Sequence, residues 1–331
     1  CLGFELIGDP TDAVVVAQLE ARIAAVLQNY PALDYIWFFQ SESLGKVGSD
    51  AAQGSALERL VRDEGKTFTY LDSPKRITEA VRFSHYANLA YRITKKHRPE
   101  LRVAINGWGG DRWFQFTDFF IGLDKTLPKD VIFAAQDNID PSVEPTISKV
   151  YGTLSPERVC WTIPWWNSDG GGTRRDMWAP QCNATPFVPL CKDALAKRCR
   201  GMIGVHWGTR DVEEVAGYQA RFSWDPTLTL EKFYDGMAGR CFGPRWAKSM
   251  SQILQDLDGL GPRWTGSLGH RGAEIWYFSF SDPYPPPKEE NLKKLADIRQ
   301  QLEAVRREML AEGRLADLQR ALKEPLRLGV L

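Results

Sequence analysis

Tyr35-Ile36-Trp37-Phe38-Phe39, running directly into Gln40-Ser41-Glu42, is the stretch on which the reading of this chain turns. An unbroken apolar run without alternation is the pattern of a strand covered on both faces, and a polar cluster follows it at once. Four later segments repeat the layout. Val103-Ala104-Ile105 leads to Asn106-Gly107-Trp108-Gly109-Gly110-Asp111, and Val131-Ile132-Phe133-Ala134-Ala135 leads to Gln136-Asp137-Asn138. Val159-Cys160-Trp161-Thr162-Ile163 leads to Trp165-Trp166-Asn167-Ser168-Asp169, and Met202-Ile203-Gly204-Val205 leads to His206-Trp207-Gly208-Thr209-Arg210-Asp211.

Helical patterns separate these runs. Val16, Leu19, Ile23, Val26, Leu27 and Tyr30 follow the helical period over residues 12 to 29, and Pro31 stops it. A long insertion from Ser43 to about Asp72 carries a short helix near Ala56 to Arg62. Pro74 suits the first turn of a helix reaching about His97. Strands are then expected near 102, 131, 158 and 201, with a helix from about Pro189 to Arg198 before the last. The spacing of the middle units, roughly 30 residues, is what a βα unit requires. Strands alternating with helices imply a parallel sheet; the spacing alone does not choose between a closed barrel and an open sheet. No GxGxxG follows the first strand and there is no Walker A motif, while Gly170-Gly171-Gly172 reads as a loop. After Trp224-Asp225-Pro226 the pattern turns helical: 228 to 240, 244 to 257, a charged amphipathic helix through Leu292, Ile298 and Met309, and another from about Leu315 to Leu326. The expected division is therefore 1–227 for the α/β part and 228–331 for a helical C-terminal region.

Composition sets wide bounds. The chain has 331 residues, 43% apolar and 25% charged, with zero formal net charge, so no bulk attraction to nucleic acid or to a membrane surface is expected. No apolar stretch approaches the roughly 20 residues that span a bilayer. The chain opens at Cys1 rather than Met, as a processed chain or a fragment would, and among locations a secreted or periplasmic one is favoured. The six cysteines contain no CxxC pair; free buried thiols are expected, one disulfide being the alternative. Twelve tryptophans favour a binding cleft, with a large aromatic core as the competing account.

A parallel barrel puts its chemistry at the C-terminal ends of its strands. If the five runs are strands, their clusters line one mouth, and carboxylates with tryptophans there suit a sugar. Glycoside hydrolysis needs a proton donor and a second carboxylate as base or nucleophile. Glu42 follows an apolar aromatic run, an environment that raises a carboxyl pKa as an acid requires, and is the first choice for general acid. Asp137, between Gln136 and Asn138, is the choice for base or nucleophile, with Asp169, Asp111 and Asp140 as rivals. Trp108, Trp165, Trp166 and Trp207 are candidate sugar platforms; Gln40, Asn106, Gln136, Asn138 and Asn167 could bind hydroxyls. His206 could bind a hydroxyl or a metal, and Arg210 could read a carboxylate. No cofactor is called for. The alternatives are a metal-dependent sugar isomerase or lyase using Glu42, Asp137, His206 and Asp211, and a non-catalytic carbohydrate-binding protein.

Two sets of residues carry a family resemblance: Tyr30-Pro31-Ala32-Leu33-Asp34-Tyr35-Ile36-Trp37-Phe38 with Gln40-Ser41-Glu42, and Trp224-Asp225-Pro226 with Phe233-Tyr234 and Cys241-Phe242-Gly243-Pro244. Over roughly residues 12 to 257 the chain resembles TIM-barrel glycoside hydrolases, chiefly the family 67 α-glucuronidases and family 20-like hexosaminidases. The resemblance implies that Glu42 matches the acid at the end of the fourth barrel strand, and that Asp137 and Asp169 match carboxylates serving as base. The hexosaminidase Asp-Glu pair is absent, Ser41 standing before Glu42, which points away from substrate-assisted acetamido chemistry. Set against a (β/α)8 TIM barrel, five strands imply that the first three are missing from this chain and that the C-terminal five are present, followed by the helical subdomain.

Overall fold

The computed structural model describes residues 2–40, 53–107, 116–138, 146–166, 184–205, 213–260 and 289–313. Its parallel α/β sheet has six strands: β1 (Leu2–Leu6), β2 (Tyr35–Gln40), β3 (Arg102–Asn106), β4 (Ile132–Asn138), β5 (Cys160–Pro164) and β6 (Gly201–Met202). They lie side by side in chain order with no reversal. The registers of β1 with β2, β2 with β3, β3 with β4 and β5 with β6 are all parallel. A doubly wound sheet reverses its strand order at a switch point; this one does not. The five expected strands are present, and β1 joins them. Its sequence, Leu-Gly-Phe-Glu-Leu, is short and carries a glycine and a charge, so its strand character was not visible.

The helices begin where the sequence signals them. Helix α1 (Ala13–Asn29) is capped by Asp12, whose carboxylate accepts from Val14 N at 2.8 Å. Helix α2 (Ala56–Glu64) starts at Ser55, which accepts from Glu58 N at 3.0 Å. Helix α3 (Pro74–His97) carries proline in its first turn and Ser73 as cap. A short helix α4 (Phe120–Thr126) connects β3 to β4, and α5 (Phe187–Ala196) lies between β5 and β6.

Contacts cluster into two compact units. The first comprises Cys1–Asn138, Ile147–Ile163 and Ala194–Ile203. One face of its sheet meets helices. Phe4, Phe38, Ile105 and Phe133 stand in register across four strands. The guanidinium of Arg22 on α1 lies 5.3 Å from the Phe4 ring centre, and Phe120 on α4 lies 4.9 Å from Phe133.

The other face curls onto itself. Tyr35 on β2 and Trp161 on β5 bring their ring centres to 5.3 Å, although β3 and β4 separate the two strands. In a flat sheet that separation would be about 14 Å. Arg102 lies over the Tyr35 ring at 5.2 Å and donates to its hydroxyl. The Trp161 indole packs on Gly201, where an added Cβ would fall 2.5 Å from Cδ1. These four residues plug the inner face near the N-terminal ends of the strands. Ala104 and Asn106, on the same face of β3, are 0% and 1% exposed.

A buried arginine holds the start of β4 and β5. Arg158 has a side chain with 0% exposure. Its Nε donates to Asp124 Oδ1 at 2.8 Å, Nη1 to the carbonyls of Pro128 and Val131 at 2.6 and 2.8 Å, and Nη2 to those of Asp124 and Leu127 at 3.3 and 3.2 Å. All five donors of the guanidinium are thereby used. Three of the accepting carbonyls, Asp124, Leu127 and Pro128, belong to the end of α4 and the turn after it. Burial pushes the Asp124 carboxyl up, but hydrogen bonds from Ser155, Arg158 and Lys129 outweigh it and hold the group well below the usual carboxylate range.

The second unit comprises Ile139–Thr146, Pro164–Asp193 and Gly204–Leu331. Its described helices include α6 (Glu213–Trp224), α7 (Leu230–Phe242), α8 (Ala247–Leu260) and α9 (Glu289–Ala311). Helix α6 packs on α7, α7 on α8, and α8 on α9. Asp258 on α8 accepts from Tyr234 Oη at 2.9 Å and from Thr185 Oγ1 and N at 3.0 and 3.3 Å, just ahead of α5. Burial, and then Asp258, push the Tyr234 phenol well above its ordinary range. The expected helix at Leu315 to Leu326 lies outside the described residues. Among the described residues Cys160, Cys191 and Cys241 are free thiols, and burial pushes those of Cys160 and Cys191 up to about 12.

Arg158→Met removes every one of these five bonds and leaves the buried Asp124 with Ser155 and Lys129 alone. It is expected to destabilise the protein by about 3–5 kcal/mol, measured by urea denaturation. The pH dependence has a definite sign. The folded-state pKa of Asp124 lies below its unfolded value, so its contribution is complete above about pH 4 and is lost as pH falls further. Asp124→Asn should therefore lose less of its remaining thermal stability than the wild type on acidification from about pH 5 to about pH 3.

Candidate functional site

The C-terminal ends of the strands divide by face. Asn106, the last residue of β3, stands in register with Phe39 on the inner face. Gln136 falls on that face too, since Phe133 points to the helices and side chains alternate. The backbone joins the two strand ends: Gln136 N donates to Gly107 O at 3.0 Å. Asn106 is buried, and its Oδ1 has no hydrogen-bond partner. Gln136 is half-buried.

Gln40 belongs elsewhere. Ile36, Phe38 and Gln40 are the buried members of β2, alternating with the half-buried Tyr35, Trp37 and Phe39. Gln40 thus shares the helix-facing side with Phe38 and does not join Asn106 and Gln136.

The aromatic candidates at the end of β5 have packing partners of their own. Trp165 is 0% exposed and its backbone bridges to Val205. An enclosed indole presents no face for a sugar to stack on. Trp166 lies flat on Gly204, whose added Cβ would sit 1.8 Å from Cε2, and its Nε1 donates to Gln219 Oε1 on α6. Trp165 fits the aromatic-core account better than the platform one, whereas Trp166 is half-buried. Glu42, Trp108, Asp169, His206, Trp207 and Arg210 lie outside the described residues, as do the side chains of Asp137 and Asn138 on β4 and the rivals Asp111 and Asp140.

One polar group here has no sequence signature. Thr117 is 0% exposed and its Oγ1 has no hydrogen-bond partner. It follows Phe116, whose ring packs against the backbone of Gly107: a Cβ added there would lie 2.4 Å from Phe116 Cγ. Phe116 is held in turn by Phe83, Phe119 and Phe120 at 5.0, 5.9 and 5.4 Å between ring centres. Asn106 and Thr117 therefore each stand one residue from a single tight contact. In the sequence, Phe116-Thr117-Asp118 reads only as the approach to a helix. Among the described residues no group of three or more His, Cys, Asp or Glu side chains could hold a metal ion.

No family model matches this chain, and no curated protein matches it either.

Gly107→Ala tests the contact on which the arrangement stands. The aromatic ring would have to shift within a packed cluster, so a loss of about 1–3 kcal/mol is expected, read by chemical denaturation.

Proposed function

We propose that the first unit is a segment of a (β/α)8 barrel and that the protein hydrolyses glycosidic bonds at the C-terminal ends of its strands. The observation that carries the reading is the meeting of Tyr35 and Trp161 at 5.3 Å across two intervening strands. A singly wound parallel sheet whose inner face meets across two strands supports a barrel wall, which would have a filled bottom and carry its chemistry at the top. The carboxamides of Asn106 and Gln136 stand at that top, where sugar hydroxyls need acceptors and donors.

In this reading Glu42, two residues beyond β2, protonates the leaving oxygen. Asp137, near the end of β4, acts as base or nucleophile, with Asp169 beyond β5 as the other candidate. In this reading the pair supplies the two carboxylates that the reaction needs on either side of the scissile bond. The resemblance of the segments around Glu42 and Trp224 to family 67 α-glucuronidases supports the same chemistry, and a carbohydrate is the partner.

The test is turnover of a panel of aryl glycosides and aryl glucuronides. On whichever substrate is cleaved, Glu42→Gln is expected to lower kcat by about 10²- to 10⁴-fold, the range of a lost general acid. Rescue by an aryl leaving group that needs no protonation would identify the acid step. Wild-type rates in Glu42→Gln on a poor leaving group would sink the assignment.

A further inference from the structure

At 92%, Trp224 is the most exposed large hydrophobic side chain among the described residues. It closes α6 and opens the stretch Trp224-Asp225-Pro226, to which the proposed mechanism gives no role. An indole left in water forgoes the large burial that its ring could supply.

The backbone beneath it is fixed. Asp225 N donates to Arg221 O at 2.9 Å, and Leu228 N donates to Asp225 O at 3.1 Å. Asp225 Oδ1 accepts from Thr227 N and Oγ1 at 3.0 and 2.6 Å, and these bonds hold its carboxyl below the usual carboxylate range. Leu228 is buried, and Tyr218 Oη donates to its carbonyl at 3.4 Å. Arg221, one turn before the indole, is committed to α7: its guanidinium lies 5.8 Å from the Phe233 ring centre and its Nη1 donates to Phe233 O at 3.3 Å. The indole is thus displayed on a rigid turn, and rigidity keeps the entropy lost on binding small.

The surroundings decide what it fits. Ala220, Ser223, Asp225, Pro226 and Thr227 are all exposed, and all are small or polar. A stable protein interface needs an apolar core within roughly 800 Å² per partner, and these neighbours supply none. A sugar ring needs less: one flat aromatic face to stack on, and an acceptor beside it for a hydroxyl. The bonds that described residues make to the Asp225 carboxylate both fall on Oδ1, which leaves Oδ2 for that hydroxyl.

We propose that Trp224, with Asp225 beside it, is a surface contact that holds a polysaccharide chain. The proposal rests on the carbohydrate reading above and narrows the substrate to a polymer.

The full chain is mixed with insoluble cellulose, xylan and chitin, and the protein that sediments with each is measured, beside turnover of aryl glycosides and mass by light scattering. The wild type is expected to sediment with at least one polymer. Trp224→Ala is expected to weaken that binding roughly tenfold, the loss of an aromatic stack, and Trp224→Tyr to keep most of it. Neither is expected to shift the melting temperature by more than about 2 °C, as suits an exposed side chain. Undiminished polymer binding by Trp224→Ala overturns the proposal. So does an assembly of two copies that Trp224→Ala splits, which would give the indole a protein partner. A wild type that cleaves aryl glycosides yet binds no polymer also overturns it and leaves the carbohydrate reading standing. A wild type that neither cleaves a glycoside nor binds a polymer ends both.

Discussion

Arg158 is the constraint on which the first unit depends. A guanidinium offers five donors in a fixed plane, and here all five are answered, four of them by backbone carbonyls between Asp124 and Val131. These carbonyls span the end of α4, the turn and the approach to β4, so one side chain fixes the geometry of the whole connection. Arg158 itself lies two residues ahead of β5. Phe133, whose ring lies 4.1 Å from the guanidinium, donates its backbone N–H to Val159 O at 2.9 Å. The arginine thereby ties α4, β4 and β5 together at their starts. A lysine could not replace it, because an ammonium has three donors and no plane.

Register follows from that anchor, and face follows from register. A slip of one residue would exchange the two faces of a strand. It would carry Phe133 away from Phe120 and put Gln136 on the helix side. The inner face is set by the second anchor, the group of Tyr35, Arg102, Trp161 and Gly201. Its tight contacts need a residue without a side chain at position 201, since Trp161 occupies the place a Cβ would take. The sheet therefore curls around a plug built from first and second residues of its strands, and the last residues are left to carry polarity.

Much of this was legible in the sequence. The apolar period over residues 12 to 29, the helix read near Ala56 to Arg62 and the proline at position 74 placed α1, α2 and α3 within a residue or two, and the caps at Asp12, Ser55 and Ser73 came only with the structure. The apolar runs placed β2 to β6, although β2 alternates between buried and half-buried residues and β6 is half-buried. What the sequence did not show is what depends on distant partners. β1 is recognisable only through its pairing with β2. Gln40 and Asn106 look alike as polar residues ending apolar runs, yet alternation sends them to opposite faces. Trp165 and Trp166 looked like exposed platforms, and the glycine at 204 that receives the Trp166 indole lies 38 residues away in the chain. Thr117 has no local signal, since its lack of a partner is a property of the packing of Phe116.

The two ends of the sheet differ in how completely their polar groups are paired, and that contrast bears on function. At the starts of the strands every donor of Arg158 is used, and Asp124 is held ionised by three partners. At the end of β3, Asn106 and Thr117 are buried with oxygens unanswered. A protein selected for stability alone would replace Thr117 by valine, which has the same shape and removes an orphan. Sites where local rules are broken while their surroundings obey them are where function is expected to reside. The same division, packing at the bottom and chemistry at the top, is what a barrel imposes on its strands. Asn106, the last residue of β3, thus lies at the end of the sheet from which the proposed mechanism draws its carboxylates.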